Sequence, residues 1–353
     1  MRGIYRVCAK TYIKISPFFK FDLIKYLCCL YGGGTEIIMK VTLQSESNLK
    51  KLASIFAVAG NIIFGFSILF TKIAYTGTDV SVSVMLMWRF IITCTALFSV
   101  LAFSRKSNMF RVSFRGKRIS RLVLLGIIEP ILYFIFENSG LRASGATMGA
   151  VILALIPILA VIIGAIVLSD RPSLLQVLFS YVSMIGVIVI SIRQNGTQQN
   201  NSVFGIICLC VAALLSATFF VMSKKLSTEF SPFEKTLGMF AVGTVFFTAW
   251  ALIENRHSLI SLFLPWTSTR FVISIIYLSL FSSAVAYMMI NFAASHLSVS
   301  RFSSFSNIQS VISVFSSMIF IDNSYDIYTI LAAALTVFGV WGVQHFDKSQ
   351  KDN

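Results

Sequence analysis

The stretch ATMGAVILALIPILAVIIGAIVL, residues 146–168, runs for 23 residues without a charged side chain. About 20 helical residues cross the ~30 Å hydrocarbon core of a bilayer, so this segment alone is long enough to span. Nine stretches of the same kind lie around it, at 52–71, 84–103, 122–139, 174–192, 204–222, 236–253, 271–292, 302–321 and 327–346. In chain order these are spans 1 to 10, with 146–168 as span 4. Hydrophobic residues make up 56% of the chain and charged residues 12%, against roughly 25% charged in a soluble domain. Backbone groups facing lipid must be satisfied within their own segment, and the period-2 alternation of a barrel is missing. The sequence therefore predicts an all-α membrane protein with ten transmembrane helices.

The net charge of +15 would suit a nucleic-acid partner if it were clustered on one soluble face. It follows topology instead. Lys40, Lys50 and Lys51 precede span 1, and Arg105, Lys106, Arg111, Arg115, Lys117, Arg118 and Arg121 fill the loop after span 2. Lys224, Lys225 and Lys235 fall between spans 6 and 7, Lys348 and Lys351 in the tail, and Arg171 and Arg301 on the same side. The alternate loops hold only Arg142, Arg193, Arg256 and Arg270. Basic residues in short loops stay cytoplasmic, so both termini are expected inside a cytoplasmic membrane, with lipid rather than nucleic acid as the surrounding partner.

The segment 1–51 reads as a cytoplasmic leader. Its apolar part, 17–31, is short and interrupted by Lys20, Asp22 and Lys25, too little to span. It is either an amphipathic surface helix or a stretch upstream of the native start; Met39-Lys40 favours the second, leaving 1–38 untranslated. Cys8, Cys28 and Cys29 lie there, and Cys94, Cys208 and Cys210 lie in spans. Cys208-x-Cys210 lacks metal-site spacing, so no metal or cofactor is expected. Gly32-Gly33-Gly34 is not followed by the Gly-Lys-Ser/Thr of a phosphate loop.

The chain also repeats itself. Residues 136–187 align on 289–340 at a constant shift of 153, bringing Asn138 onto Asn291, Gly186 onto Gly339, and Ser169-Asp170-Arg171 onto Asp322-Asn323-Ser324. Each half, 52–192 and 204–346, carries five spans, with 193–203 as an external linker and 347–353 as the tail. Five is odd, so the second half enters the bilayer upside down. Two inverted five-helix repeats are a secondary-transporter architecture, with the substrate site near the midplane where the halves meet.

Several motifs strengthen this. Gly65 to Lys72 close span 1; Trp88-Arg89-Phe90 stand in span 2; Tyr133-Phe134 and Glu137-Asn138-x-Gly140-Leu141 end span 3. Ser144-x-Ala146 opens span 4, Pro157 lies within it, and Asp170-Arg171 follows; Gly186 and Gly339 stand in spans 5 and 10. In that order these residues resemble the ten-span EamA-type members of the drug/metabolite transporter superfamily. The second half departs from the pattern, with Ser310 where the family more often has proline in span 9. The resemblance implies transport of a small metabolite without ATP hydrolysis, commonly amino-acid export.

A charge inside a span costs roughly 2.5–3.5 kcal/mol at a helix centre on insertion scales. Arg89 either snorkels outward or pairs inside the bundle, and Glu137 in the next span is its expected partner. Glu129, Tyr133 and Glu137 recur every four residues along one face of span 3, and Pro130 should kink that helix. Two readings of Glu129 remain open: a structural network in which it carries a proton, or proton coupling and recognition of a substrate ammonium. Asn61, Trp88, Asn138, Tyr287, Asn291, Asn307 and Gln309 complete the candidate substrate-binding or coupling set, each with interhelical glue as its plainer role. The serines from Ser298 to Ser306 read as close helix packing.

The function expected is alternating-access transport of a small metabolite, foremost amino-acid export, by a monomer or homodimer, with protons as a further partner. Uptake or exchange of a sugar, nucleotide sugar or cationic compound is the alternative. An intramembrane enzyme would need clustered His/Asp/Glu, whereas His257, His296 and His345 are scattered. Cysteines introduced at Thr78 or Asn200 should react with an impermeant thiol reagent from outside intact cells, and one at Ser113 should not; the opposite pattern would invert the orientation.

Overall fold

The computed structural model describes residues 34–75, 80–103, 112–113, 116–168, 172–194, 202–317, 319–320 and 327–346. The leader up to residue 33, most of the loop after span 2, both aligned polar turns, Thr78, Asn200 and the tail lie outside the described residues. Among the described residues there is helix and no strand. Seven helices are long and apolar enough to cross a membrane: Ser47–Tyr75, Val82–Phe103, Ile119–Gly140, Val203–Leu226, Pro232–Glu254, Thr269–His296 and Ile327–His345. They are spans 1, 2, 3, 6, 7, 8 and 10. Ile156–Leu168 and Leu174–Ile190, from spans 4 and 5, are shorter and also apolar. Span 9 is in pieces, beginning Val299–Ser304 and Ser306–Ser317.

Local chemistry sets several of these starts. Ser231 and Glu234 form a reciprocal capping box with Pro232 in the first turn of span 7, which satisfies orphan amides. Ser173 and Gln176 do the same for span 5, at 2.8 and 3.1 Å. One boundary differs from expectation: the turn expected at 140–145 is helical, within Tyr133–Leu153. Ser144 donates to the Ser202 carbonyl at the opening of span 6, while Gly164 faces Val299 at the start of span 9. The chain thus still crosses between those two points. For orientation, the leader side is where span 1 enters and the far side is where it ends.

The interruptions recur in register. Span 4 breaks after Leu153, where the Leu155 amide bonds back to the Ile152 carbonyl; span 9 breaks at Phe305, where the Ile308 amide bonds to the Phe305 carbonyl. The two turns are 153 residues apart. Pro157 explains the first, since a proline inside a helix removes an amide and clashes one turn back. The second has Ser310 instead, and the serines around it supply another cause. Ser304 and Ser306 donate to the carbonyls three residues back at 2.9 and 2.8 Å, which competes with the helical ladder. These serines were expected to allow close packing; Ser300, Ser303 and Ser304 are buried, and Ser304 also accepts from Gln344 of span 10 at 2.9 Å.

Spans 3 and 8 are wound wide at matched places. Ile127–Leu132 and Tyr277–Ala286 are both π-helical, and a shift of 153 carries the first wholly into the second. The packing has the same exchange symmetry. Span 1 lies against spans 8 and 9 while span 6 lies against spans 3 and 4; span 2 meets span 7, and span 5 meets span 10. The halves therefore interdigitate instead of sitting side by side.

Gly186 and Gly339 are the matched contact points where spans 5 and 10 cross. A Cβ on Gly186 would lie 2.7 Å from the Ala332 carbonyl oxygen, and one on Gly339 2.7 Å from the Ser183 Cα. Backbone on the opposing helix cannot step aside as a side chain can. Gly339→Ala should therefore destabilise the detergent-solubilised protein by about 1–3 kcal/mol, read as a lowered unfolding temperature, although glycine-to-alanine changes at unstrained helix positions generally stabilise.

Candidate functional site

Glu129 sits midway along Ile119–Gly140 with φ −142° and ψ 121°, an extended residue inside a helix. The following proline favours this, because its ring disfavours the helical conformation in the residue before it. Glu129 lies inside the bundle at this break, where it is 6% exposed. Its Oε1 accepts a 3.0 Å hydrogen bond from the Tyr287 hydroxyl of span 8. Its Oε2 is buried without a hydrogen-bond partner, with the Ser216 hydroxyl of span 6 close by.

Arg89 is equally buried, at 6%. Its Nε donates to the Ser283 hydroxyl at 2.7 Å and its Nη2 to the Ser282 hydroxyl at 3.1 Å, both on the wide turns of span 8. Its guanidinium lies over the Phe134 ring, 5.2 Å from the centroid. The ion pair expected with Glu137 is not formed: the two described ion pairs are Lys117–Glu234 and Arg121–Glu229. Glu137 accepts from Tyr133 at 2.7 Å instead, within electrostatic range of Arg89. The reason lies in span 8. Its register mates of Glu129 and Pro130 are Ser282 and Ser283, whose hydroxyls reach Arg89 before the carboxylate can.

Aromatic rings wall this centre. Tyr287 packs edge-on against Phe64 and Phe240 at 5.1 and 5.2 Å, and Phe134 lies beside Tyr133 and Phe90. The structure thus gathers Arg89, Glu129, Tyr133, Glu137 and Tyr287 from the candidate set. The rest make other contacts. Trp88 faces the far-side loop, donating to the Leu262 carbonyl at 2.8 Å beside Phe263 and Trp266. Asn61 and Asn138 bond to carbonyls of their own helices, Ala57 and Phe134. Asn307 joins span 9 to Ser183 of span 5. Asn291 ties span 8 to Ser223 and Thr236 on the leader side, and the Gln309 carbonyl faces Gly65.

Sequence reasoning passed over Ser282 and Ser283, although their alignment on Glu129-Pro130 marks them. It also placed Lys235 in a loop, whereas that side chain is fully buried in span 7. Among the described residues no group of three or more His, Cys, Asp or Glu could hold a metal ion.

The comparisons with known proteins agree with this architecture. The sequence profile described as "EamA-like transporter family" matches twice, at residues 51–192 and 203–344. The chain is 29% identical over 292 residues to "Uncharacterized transporter YcxC" of Bacillus subtilis (strain 168), covering 82% of this chain and 92% of that one. It is 24% identical over 272 residues to an "Uncharacterized transporter" of Archaeoglobus fulgidus, covering 77% and 92%. A solved crystal structure superposes with a TM-score of 0.68 at 15% identity, over 84% of this chain and 98% of its own, which speaks for the fold alone.

Tyr287→Phe would remove the hydrogen bond that Glu129 receives. Leaving a buried acceptor unmet costs about 1–3 kcal/mol, so the variant should insert normally and lose that much thermal stability in detergent, while Tyr277→Phe should not reproduce a loss dependent on Glu129. Combining Tyr287→Phe with Glu129→Leu should cost less than the two changes added separately.

Proposed function

Because this chain belongs to the EamA-like transporter family, we propose that it is a secondary transporter that moves a small metabolite across the cytoplasmic membrane by alternating access, with amino-acid export as its task and both termini inside. The observation that carries the reading is the buried centre at the two wide-wound helices. Arg89 is held there by neutral hydroxyls rather than by an acid, and Glu129 has one carboxylate oxygen that accepts no hydrogen bond, with only the Ser216 hydroxyl close by. A cation without a carboxylate partner and an anion with an open oxygen suit a zwitterion, whose carboxylate takes a guanidinium and whose ammonium takes a carboxylate. The rings of Phe64, Phe134, Phe240 and Tyr287 supply apolar walls for its side chain.

The residues divide the work as follows. Ser282 and Ser283 orient the Arg89 fork, so a substrate carboxylate meets a positioned cation. Tyr287 fixes one Glu129 oxygen and leaves the other for an ammonium or a proton. Those two occupants compete for the same atom, and that competition couples export to proton entry. Broken helices at the repeat interface let one group of packed spans rock against another without tearing a continuous ladder.

Glu129→Gln keeps the shape and hydrogen bonding of the side chain but cannot exchange a proton. In sealed vesicles carrying a proton gradient it should insert and fold as the parent does yet lose gradient-driven amino-acid movement, by about tenfold or more on the scale of other functional carboxylates. Accumulation equal to the parent would remove Glu129 from the coupling role.

A further inference from the structure

Lys235 is the fourth residue of Pro232–Glu254 and is 0% exposed. Its Nζ lies 2.8 Å from the Ser227 hydroxyl, 3.0 Å from the Ser223 carbonyl and 3.1 Å from the Ser223 hydroxyl. The Asn291 carbonyl at 3.2 Å and the Ser295 hydroxyl at 3.5 Å complete the cage. An ammonium has three hydrogens to give, so five oxygens over-supply it. The cage members are tied to one another: Ser223 donates to the Asn291 amide oxygen at 2.7 Å, and Ser295 to Ser227 at 3.0 Å. One cation thereby knots spans 6, 7 and 8 together on the leader side. No carboxylate pairs with it among the described residues.

The five oxygens come from residues of spans 6 and 8 and from the turn between spans 6 and 7, and they meet only where those spans lie together. Parting the spans breaks the set as a whole, so the knot belongs to the shut arrangement. Among the described residues the aligned far-side positions carry no such cation. The mate of Lys235 is Val82 at a shift of 153, or Ser83 at the 152 that separates the starts of the two family matches. Asn138, the mate of Asn291, turns its amide back to the Phe134 carbonyl of its own helix. The two repeats are inverted copies, yet one of them carries an ammonium where the other has none.

We propose that Lys235 is a one-sided latch, whose cage of Ser223, Ser227, Asn291 and Ser295 holds the leader side shut and sets the resting orientation of the protein. The inference rests on the alternating-access reading above. Substrate does not touch Lys235; it acts by positioning spans 6, 7 and 8.

The test uses the full chain with its native cysteines replaced and one reporter, Ser216→Cys, beside Glu129. An impermeant thiol reagent is applied to either face of sealed vesicles. Lys235→Met should raise labelling from the leader side by about tenfold, equivalent to about 1.4 kcal/mol, and Ser295→Asp, which sets a carboxylate beside the ammonium, should lower it. Opposite shifts are the signature, because a purely structural lysine would lower stability without moving sidedness in two directions. A folded Lys235→Met labelled like the parent overturns the latch. Should that variant fail to fold, Ser295→Asp decides alone, and unchanged or increased labelling overturns it. A parent labelled from both faces, with no shift in the variants, defeats the latch and spares alternating access. A parent and variants labelled from neither face defeat both.

Discussion

Hydrocarbon offers no hydrogen-bond partner, so every backbone group freed by a broken turn must be met from within the protein. This constraint shapes the centre of the molecule. Span 3 leaves helical geometry at Glu129 and span 8 widens over Tyr277–Ala286, and the polar residues of both, Glu129, Ser279, Ser282 and Ser283, are turned inward and buried. Spans 2, 7 and 8 close around them. The Thr93 hydroxyl lies 3.0 Å from the Ser279 carbonyl and 2.6 Å from its own Arg89 carbonyl. The Tyr277 hydroxyl reaches the Ile63 carbonyl, and Thr244 lies within hydrogen-bond distance of the Phe90 carbonyl. Repairing the backbone requires polar side chains in the bundle interior, and the same polarity makes a site.

The inverted repeats pack by exchange, each half lending helices to the other, and this explains why matched features survive when matched residues do not. Span 4 breaks at a proline and span 9 at a cluster of serines, yet the turn bonds fall in register. Glycines persist at Gly186 and Gly339 because each crosses the other repeat's backbone. Polar chemistry, by contrast, has diverged. Glu129-Pro130 in one half aligns with Ser282-Ser283 in the other, and that inequality gives the centre one acid and one orienting pair of hydroxyls. Two identical halves would have placed like charges against each other.

The positions of charge separate the two levels of description. Lys117 and Arg121 behave as surface cations near the leader side, paired with Glu234 and Glu229. Lys235, counted with them by its place in the chain, is withdrawn into the bundle. Nothing in its immediate sequence distinguishes it, because its burial depends on Ser223 and Asn291, which are 12 and 56 residues away.

Spans, their number and the inverted duplication were legible in the amino-acid sequence, because crossing a bilayer is a property of local composition and length. So was the kink at Glu129, since proline acts on its immediate neighbour. The gathering of Arg89, Glu129, Tyr133, Glu137 and Tyr287 was legible as residue types out of place in hydrocarbon. Which of them pair was not. Arg89 chose Ser282 and Ser283 over Glu137, and Asn291 and Asn307 became braces while Asn61 and Asn138 turned back to their own helices, through distances between helices that are set only when all the spans pack together. A side chain's depth follows from its own segment; its partner depends on the neighbouring helix, and only the tertiary structure decides which helix that is.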